Sequence, residues 1–162
     1  MRWRKVNSSM ASVRSEGTKP EKRVRRALLE LGVRGFELNA SDLPGSPDVI
    51  LRLAKRAIFV NGCFWHLHPG CSGAWIPTPG RSKPYWAEKL IRNALRDQRI
   101  ERELAALGWE VLVIWECETT SPAALRECLE AFLGGLPRLR GGSRSLYAPV
   151  ARRGYRRRSD TN

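Results

Sequence analysis

An apolar run, Ala57-Ile58-Phe59-Val60, leads directly into Asn61-Gly62-Cys63-Phe64-Trp65-His66-Leu67-His68-Pro69-Gly70-Cys71, and this junction restricts the fold more than any other stretch of the chain. The run reads as a buried strand, and two thiols, two imidazoles and two bulky aromatics crowd the loop straight after it, so a site is tied to the strand end. Cys63, His68 and Cys71 read as C-x4-H-x2-C, a set of soft and borderline ligands suited to tetrahedral zinc. A closed site needs a fourth ligand from elsewhere. Cys117 is the best candidate, because like Cys63 it lies just past the end of an apolar strand, and neighbouring strand ends bring such positions together. Three cysteines and one histidine leave no open position, so the expected zinc is structural. The bland alternative is a set of ordinary buried thiols, which gives no reason for the spacing. Cys128 falls on the apolar stripe of a helix and reads as core.

The remaining pattern is α/β. Thr18, Pro20 and Glu21 open a capping box, and Val24, Leu28 and Leu31 recur at helical spacing until Gly32, which predicts a helix over about 19 to 31. Phe36-Glu37-Leu38 predicts a short strand and Asp42 to Pro47 a loop. Val49-Ile50-Leu51 and Ala57 to Val60, separated by the basic stretch Arg52 to Arg56, suit a hairpin. A loop follows from Pro69 to Pro84, then a long helix from Pro84 to about Leu107, ended by Gly108. Trp109 to Trp115 predicts a strongly buried strand. Pro122 to Phe132 predicts a last helix that presents Leu125, Cys128, Leu129 and Phe132 inward.

At 162 residues and 42% hydrophobic content the chain suits one well-packed domain. No apolar stretch approaches the ~20 residues of a membrane span, and the first residues lack the apolar stretch of a secretory signal, so we expect a cytosolic protein with reduced cysteines. Twenty-nine Lys and Arg against sixteen Asp and Glu give a net charge of +13, with a pI near 10.6. That balance favours a polyanionic partner, nucleic acid ahead of an anionic membrane surface. Much of the excess sits in Ser- and Gly-rich ends without apolar periodicity, from Arg2 to Arg14 and from Arg138 to Arg158. These predict basic arms over 1–17 and 136–162 around a domain of 18–135.

In the long helix Trp86, Leu90, Asn93, Asp97, Ile100, Leu104 and Leu107 form one stripe, interrupted by Asn93 and Asp97. An inward carboxylate is costly unless it is paired, bound to metal or near solvent in a cleft. Asp97 therefore reads either as the partner of an arginine or as a site residue. Asp48 follows Pro47 at the mouth of a strand, where a carboxylate can meet a divalent cation; the alternative is a turn residue.

Taken together, Leu43-Pro44-Gly45-Ser46-Pro47-Asp48, Phe59 through His66, Asn93 with Arg96-Asp97, and Leu107-Gly108-Trp109 through Trp115-Glu116-Cys117 resemble the very short patch repair endonucleases. The resemblance covers about residues 18 to 135, with the motifs in the same order, and stops short of the basic arms. It implies a restriction-endonuclease-like α/β core, with a mixed central sheet flanked by helices and a structural zinc site. It also implies a bacterial, cytoplasmic enzyme that nicks duplex DNA next to a T:G mismatch left by deamination of 5-methylcytosine, using magnesium. On this resemblance Asp48 matches the catalytic metal-binding aspartate and the Val60 carbonyl the second protein contact to magnesium. His66 matches the histidine of proton transfer, Asp97 the acidic residue near the same cluster, and Glu21 a glutamate on the first helix facing the site. Cys63, His68, Cys71 and Cys117 match the zinc ligands. Phe64, Trp65 and Trp86 match aromatics that wedge into the base stack, and Asn93 a DNA-contacting residue. A T:G wobble stacks and pairs poorly, so opening the step there costs less than at a matched pair. Where the best-known member has a threonine-histidine pair, this chain has Val60-Asn61; a carbonyl contact survives the first change, and Asn61 stands where an imidazole could reach the scissile phosphate. A monomer and contacts with other repair proteins are expected. The alternatives are a restriction-type nuclease of the same fold with another target, and a zinc-stabilised DNA-binding module without catalysis.

Overall fold

In the computed structural model, which describes residues 17–73 and 84–134, helix α1 (Lys19–Glu30) starts at the capping box its sequence predicts. The Glu21 N–H donates to Thr18 Oγ1 at 3.4 Å and the Thr18 N–H donates back to Glu21 Oε1 at 3.2 Å. The expected basic arms, Gly17 apart, and residues 74–83 of the Pro69 to Pro84 loop lie outside the described residues.

The described strands are β1 (Glu37–Leu38), β2 (Val49–Leu51), β3 (Arg56–Asn61) and β4 (Glu110–Trp115), in the spatial order β1-β2-β3-β4. β1 with β2 and β2 with β3 are antiparallel, and β3 with β4 is parallel. The parallel step is made through helix α2 (Pro84–Ala106), and helix α3 (Pro122–Leu133) follows β4. The basic stretch between β2 and β3 closes in a single 3₁₀ turn, Arg52–Ala54, with Lys55 in the left-handed region at φ 49°.

Side chains alternate across a strand, and here the alternation sorts the core into two layers. Val49, Leu51, Ile58 and Ile114 face α1 and α3, where Val24, Leu28, Leu125, Leu129 and Leu133 complete one buried cluster. Ile50 and Ala57 face the other way and pack with Ala40, Leu104 and Trp109, with Phe59, Ile100 and Val111 at the margin. Helix α2 therefore covers one face of the sheet and α1 with α3 the other. Each fully buried Leu or Ile in these layers contributes about 1.5–3 kcal/mol.

Two expectations are corrected. The strand expected to be strongly buried is mostly half-buried: only Ile114 of β4 is enclosed and Glu110 is exposed, because β4 is an edge of the described sheet. Leu107, expected on the inward stripe of α2, is 51% exposed. The helix ends at Ala106, and the chain reverses so that the Trp109 N–H donates to the Leu104 carbonyl at 2.9 Å; Trp109 fills the space instead.

Candidate functional site

The same alternation decides which side chains meet at the strand ends. Asp48 is one residue before Val49, so it shares with Ile50 the face covered by α2, and Asn61 shares that face with Phe59. Between this end of the sheet and α2 lies a cleft of about 530 Å³, lined by Asp48, Val60, Asn61, His66 and Asp97 together with Asn39, Ser41, Ser46, Arg96 and Glu101. The structure thus brings five of the sequence candidates into one hollow. Glu21 is not among its lining residues.

Asp48 is held by its loop. The Asn39 N–H donates to the Asp48 carbonyl at 3.3 Å and the Ala40 N–H to the Pro47 carbonyl at 3.1 Å. Gly45 lets the loop settle on α2: its φ is +74°, and a Cβ there would lie 2.5 Å from Ile100 Cγ2. The Val60 N–H donates to Asp48 Oδ2 at 2.7 Å. Burial pushes the Asp48 carboxyl up to about 6; that hydrogen bond works against the rise, and the negative charge of Glu21 adds to it. A desolvated carboxylate without a fully compensating charge is suited to a hard cation. In an extended strand a residue's N–H and C=O point to the same edge, so the Val60 carbonyl faces the side on which its N–H meets Asp48. The donors are all oxygen and therefore suit a hard divalent cation.

His66 and Asp97 form the opposite wall. His66 Nδ1 lies 2.5 Å from Asp97 Oδ2, and Arg96 Nη2 donates to Asp97 Oδ1 at 3.2 Å. Burial alone would raise the Asp97 pKa, but the hydrogen bond and charge of His66, with Arg96 behind them, outweigh it and leave the carboxyl below its ordinary range. Asp97 has an arginine partner in Arg96 and also lines the cleft. An ionised Asp97 accepts from Nδ1–H and so fixes the tautomer that leaves the His66 Nε2 lone pair available. Asparagine at position 97 should leave duplex binding intact while slowing nicking by about 10²- to 10⁴-fold. Single-turnover rates beside a binding titration will check this.

Glu21 is 3% exposed and its carboxylate is already engaged. Oε2 accepts from the Gly17 N–H at 2.9 Å and from Arg25 Nη2 at 3.0 Å, and Oε1 from the Thr18 hydroxyl at 2.6 Å. It reaches Asp48 through its charge.

The parallel register of β3 and β4 pairs Asn61 with Trp115, which places Cys63 and Cys117 at matching positions two residues further on. Ligand atoms of Cys63, His68, Cys71 and Cys117 all lie within 4.8 Å of one another, a group that can hold a metal ion. His68 Nδ1 stands 3.5 Å from Cys63 Sγ and 3.4 Å from Cys117 Sγ. Sulfur at about 2.3 Å and nitrogen at about 2.0–2.1 Å from a tetrahedral zinc stand about 3.5 Å apart, so the spacing matches. The His68 ring stacks on Trp115, with centroids 4.2 Å apart and planes 5° from parallel.

The loop between the first and third of these ligands also carries Phe64, Trp65 and His66. Phe64 and Trp65 meet edge to face at 5.1 Å, and Trp86 of α2 stands 6.0 Å from Trp65 and 6.4 Å from Phe64. All three are half-buried and none belongs to either core cluster, which disfavours simple core packing. Asn93 Nδ2 donates to the Trp65 carbonyl at 3.2 Å, tying this loop to α2.

Comparison with known proteins finds relatives over most of the chain. A family model described as DNA mismatch endonuclease Vsr matches residues 3–72. The type II nicking enzyme V.XorIIP of Xanthomonas oryzae pv. oryzae is 44% identical over 124 residues, 76% of this chain and 88% of the relative. The DNA mismatch endonuclease Vsr of Escherichia coli is 34% identical over 134 residues, 80% of this chain and 83% of the relative. The type II nicking enzyme V.NmeAIP of Neisseria meningitidis is 38% identical over 120 residues, 74% of this chain and 83% of the relative. The chain belongs to the Vsr family.

The mixed sheet with helices on both faces agrees with the restriction-endonuclease-like fold of Vsr proteins. The segment matched by the Vsr model contains Asp48, Asn61, His66 and the ligands Cys63 to Cys71. Sequence reasoning passed over Glu101, which lines the cleft one turn beyond Asp97, and whose carboxyl is raised by burial and by the Asp97 charge. The signal was its four-residue spacing from Asp97. Asn39, Ser41 and Ser46 were missed too; they reach the cleft from a loop without periodicity.

Proposed function

We propose that this chain is an endonuclease that nicks one strand of duplex DNA beside a T:G mismatch, by magnesium-dependent hydrolysis of one phosphodiester bond. The nuclease domain spans 18–135 between two basic arms, acting in the bacterial cytoplasm. One observation carries the reading: across a single cleft the Asp48 carboxylate and Val60 face the His66–Asp97 pair, and Phe64 and Trp65, two rings of a cluster outside the core, ride on the same loop as His66. The names of relatives support it, since one is a mismatch endonuclease and two are nicking enzymes.

Asp48 and the Val60 carbonyl would hold magnesium, which when bound supplies Lewis-acid stabilisation of the charge developing on the phosphate. His66 Nε2 handles the proton, oriented by Asp97. Asn61, on the same face of the cleft, offers an amide to the scissile phosphate. Glu21 acts at one remove, fixing the start of α1 and shaping the field at Asp48. Phe64, Trp65 and Trp86 enter the base stack, with Asn93 holding the loop of Phe64 and Trp65 and contacting DNA. The Cys63, His68, Cys71 and Cys117 group would hold a structural zinc, because four protein donors would fill its coordination and leave no position for water or substrate.

The test is incubation of the purified chain with magnesium and end-labelled duplexes that differ only by T:G or T:A, in several cytosine-methylation contexts. Nicking of the T strand of the mismatch alone is expected. Equal cleavage of both duplexes would make it a restriction-type enzyme, and binding without cleavage a non-catalytic module.

A further inference from the structure

The ring cluster does not end at Trp86. Tyr85, its neighbour in the first turn of α2, is 66% exposed and meets Trp86 edge to face at 5.5 Å, with planes at 78°. Lys89 Nζ lies 5.3 Å from the Trp86 ring, 5.7 Å from that of Trp65 and 6.0 Å from that of Tyr85. Single exposed aromatics are common and need no explanation. This one continues a group that lies outside the core, and it is the most exposed of these four rings. A positive charge borders the rings, on a chain of net charge +13. Aromatic faces beside cationic groups suit nucleobases whose phosphates run alongside, and such stacking tolerates any base.

We propose that Tyr85 is a fourth ring of the DNA-opening surface and stacks on a base beside the opened step. The inference rests on the mismatch reading above for where that step lies. Because stacking uses the ring face, the phenyl group should suffice and the hydroxyl should matter little.

The experiment uses the full chain with calcium replacing magnesium, so that duplex stays uncut. Three probes are titrated: a T:G duplex carrying 2-aminopurine next to the mismatch, its T:A counterpart, and a single-stranded oligo-dT. Tyr85→Ala and Tyr85→Leu should each weaken binding to the T:G duplex and to oligo-dT by about 5- to 100-fold and lower the 2-aminopurine signal, whereas Tyr85→Phe should stay within about twofold of wild type. Melting temperature and bound metal should be unchanged in all three, since the side chain is mostly in water. Alanine and leucine variants that bind both probes within about twofold of wild type would overturn the proposal. If the wild type itself treats T:G and T:A duplexes alike, the mismatch reading fails, and the oligo-dT titration alone then decides whether Tyr85 stacks on bases.

Discussion

Replacing Asp48 by asparagine will abolish nicking and, in magnesium-free buffer at neutral pH, make the protein more stable by up to about 3 kcal/mol. Burial holds the Asp48 carboxyl at about 6 in the folded chain against an ordinary value of 3.8. Two pH units of preference for the proton correspond to about 3 kcal/mol against the charged form. The native state binds the proton more tightly than the unfolded chain, so stability falls as pH rises from about 3.8 to about 6 and the full cost is present above that window. Asparagine keeps an acceptor for the Val60 N–H and carries no charge, so it removes the cost. Urea unfolding of both proteins at pH 7 and pH 4 checks the prediction: the variant should lead at the higher pH and most of the difference should be gone at the lower. Magnesium should raise the wild-type melting point and leave the variant unmoved. A variant that is less stable at neutral pH would show that the carboxylate is compensated by something other than a cation. The chain thus accepts instability at the point where it needs charge, a trade familiar at binding sites.

The core was legible because its signals are local and periodic. The capping box of Thr18 and Glu21, the 3.6-residue spacing of Val24 and Leu28, and the unbroken apolar runs of β2 and β3 each depend on a few neighbouring residues. The Cys63–Cys117 pairing was legible for a different reason: both lie at a fixed offset past parallel strands, and the register of Asn61 with Trp115 turns that offset into proximity. What escaped depends on contacts between distant elements. Nothing near Gly45 announces Ile100, yet that contact sets how close the Asp48 loop comes to α2. Nothing near Asn93 announces the Trp65 carbonyl, so its amide read as a DNA contact alone. Leu107 misled because the helical period continues past the residue at which the helix stops.

Replacing Cys117 by serine should cost the protein the metal of this group, its duplex binding and its nicking together, although Cys117 does not line the cleft. The reason is the path of one loop. Cys63 and Cys71 bracket Phe64, Trp65 and His66, and Cys117 closes the group from the end of β4. Without that clamp the Nδ1 of His68 loses its partner 3.4 Å away, and the wedge and the proton-transfer histidine lose their common anchor. Metal affinity should also fall on acidification. Burial, and then the neighbouring Cys63 and Cys71, push the Cys117 thiol up to about 12, so a cation must displace a proton that Cys117 holds tightly. We expect at least a 100-fold loss of nicking and a melting temperature lower by roughly 10 °C, magnitudes on the order of those for removing a structural metal. Cys128→Ser is the control. Its thiol lies half-buried on α3 away from the cluster, so metal content should be retained. Elemental analysis of the two variants beside wild type decides the matter: unchanged zinc in Cys117→Ser would remove it from the ligand set and break the link between β4 and the loop that carries His66.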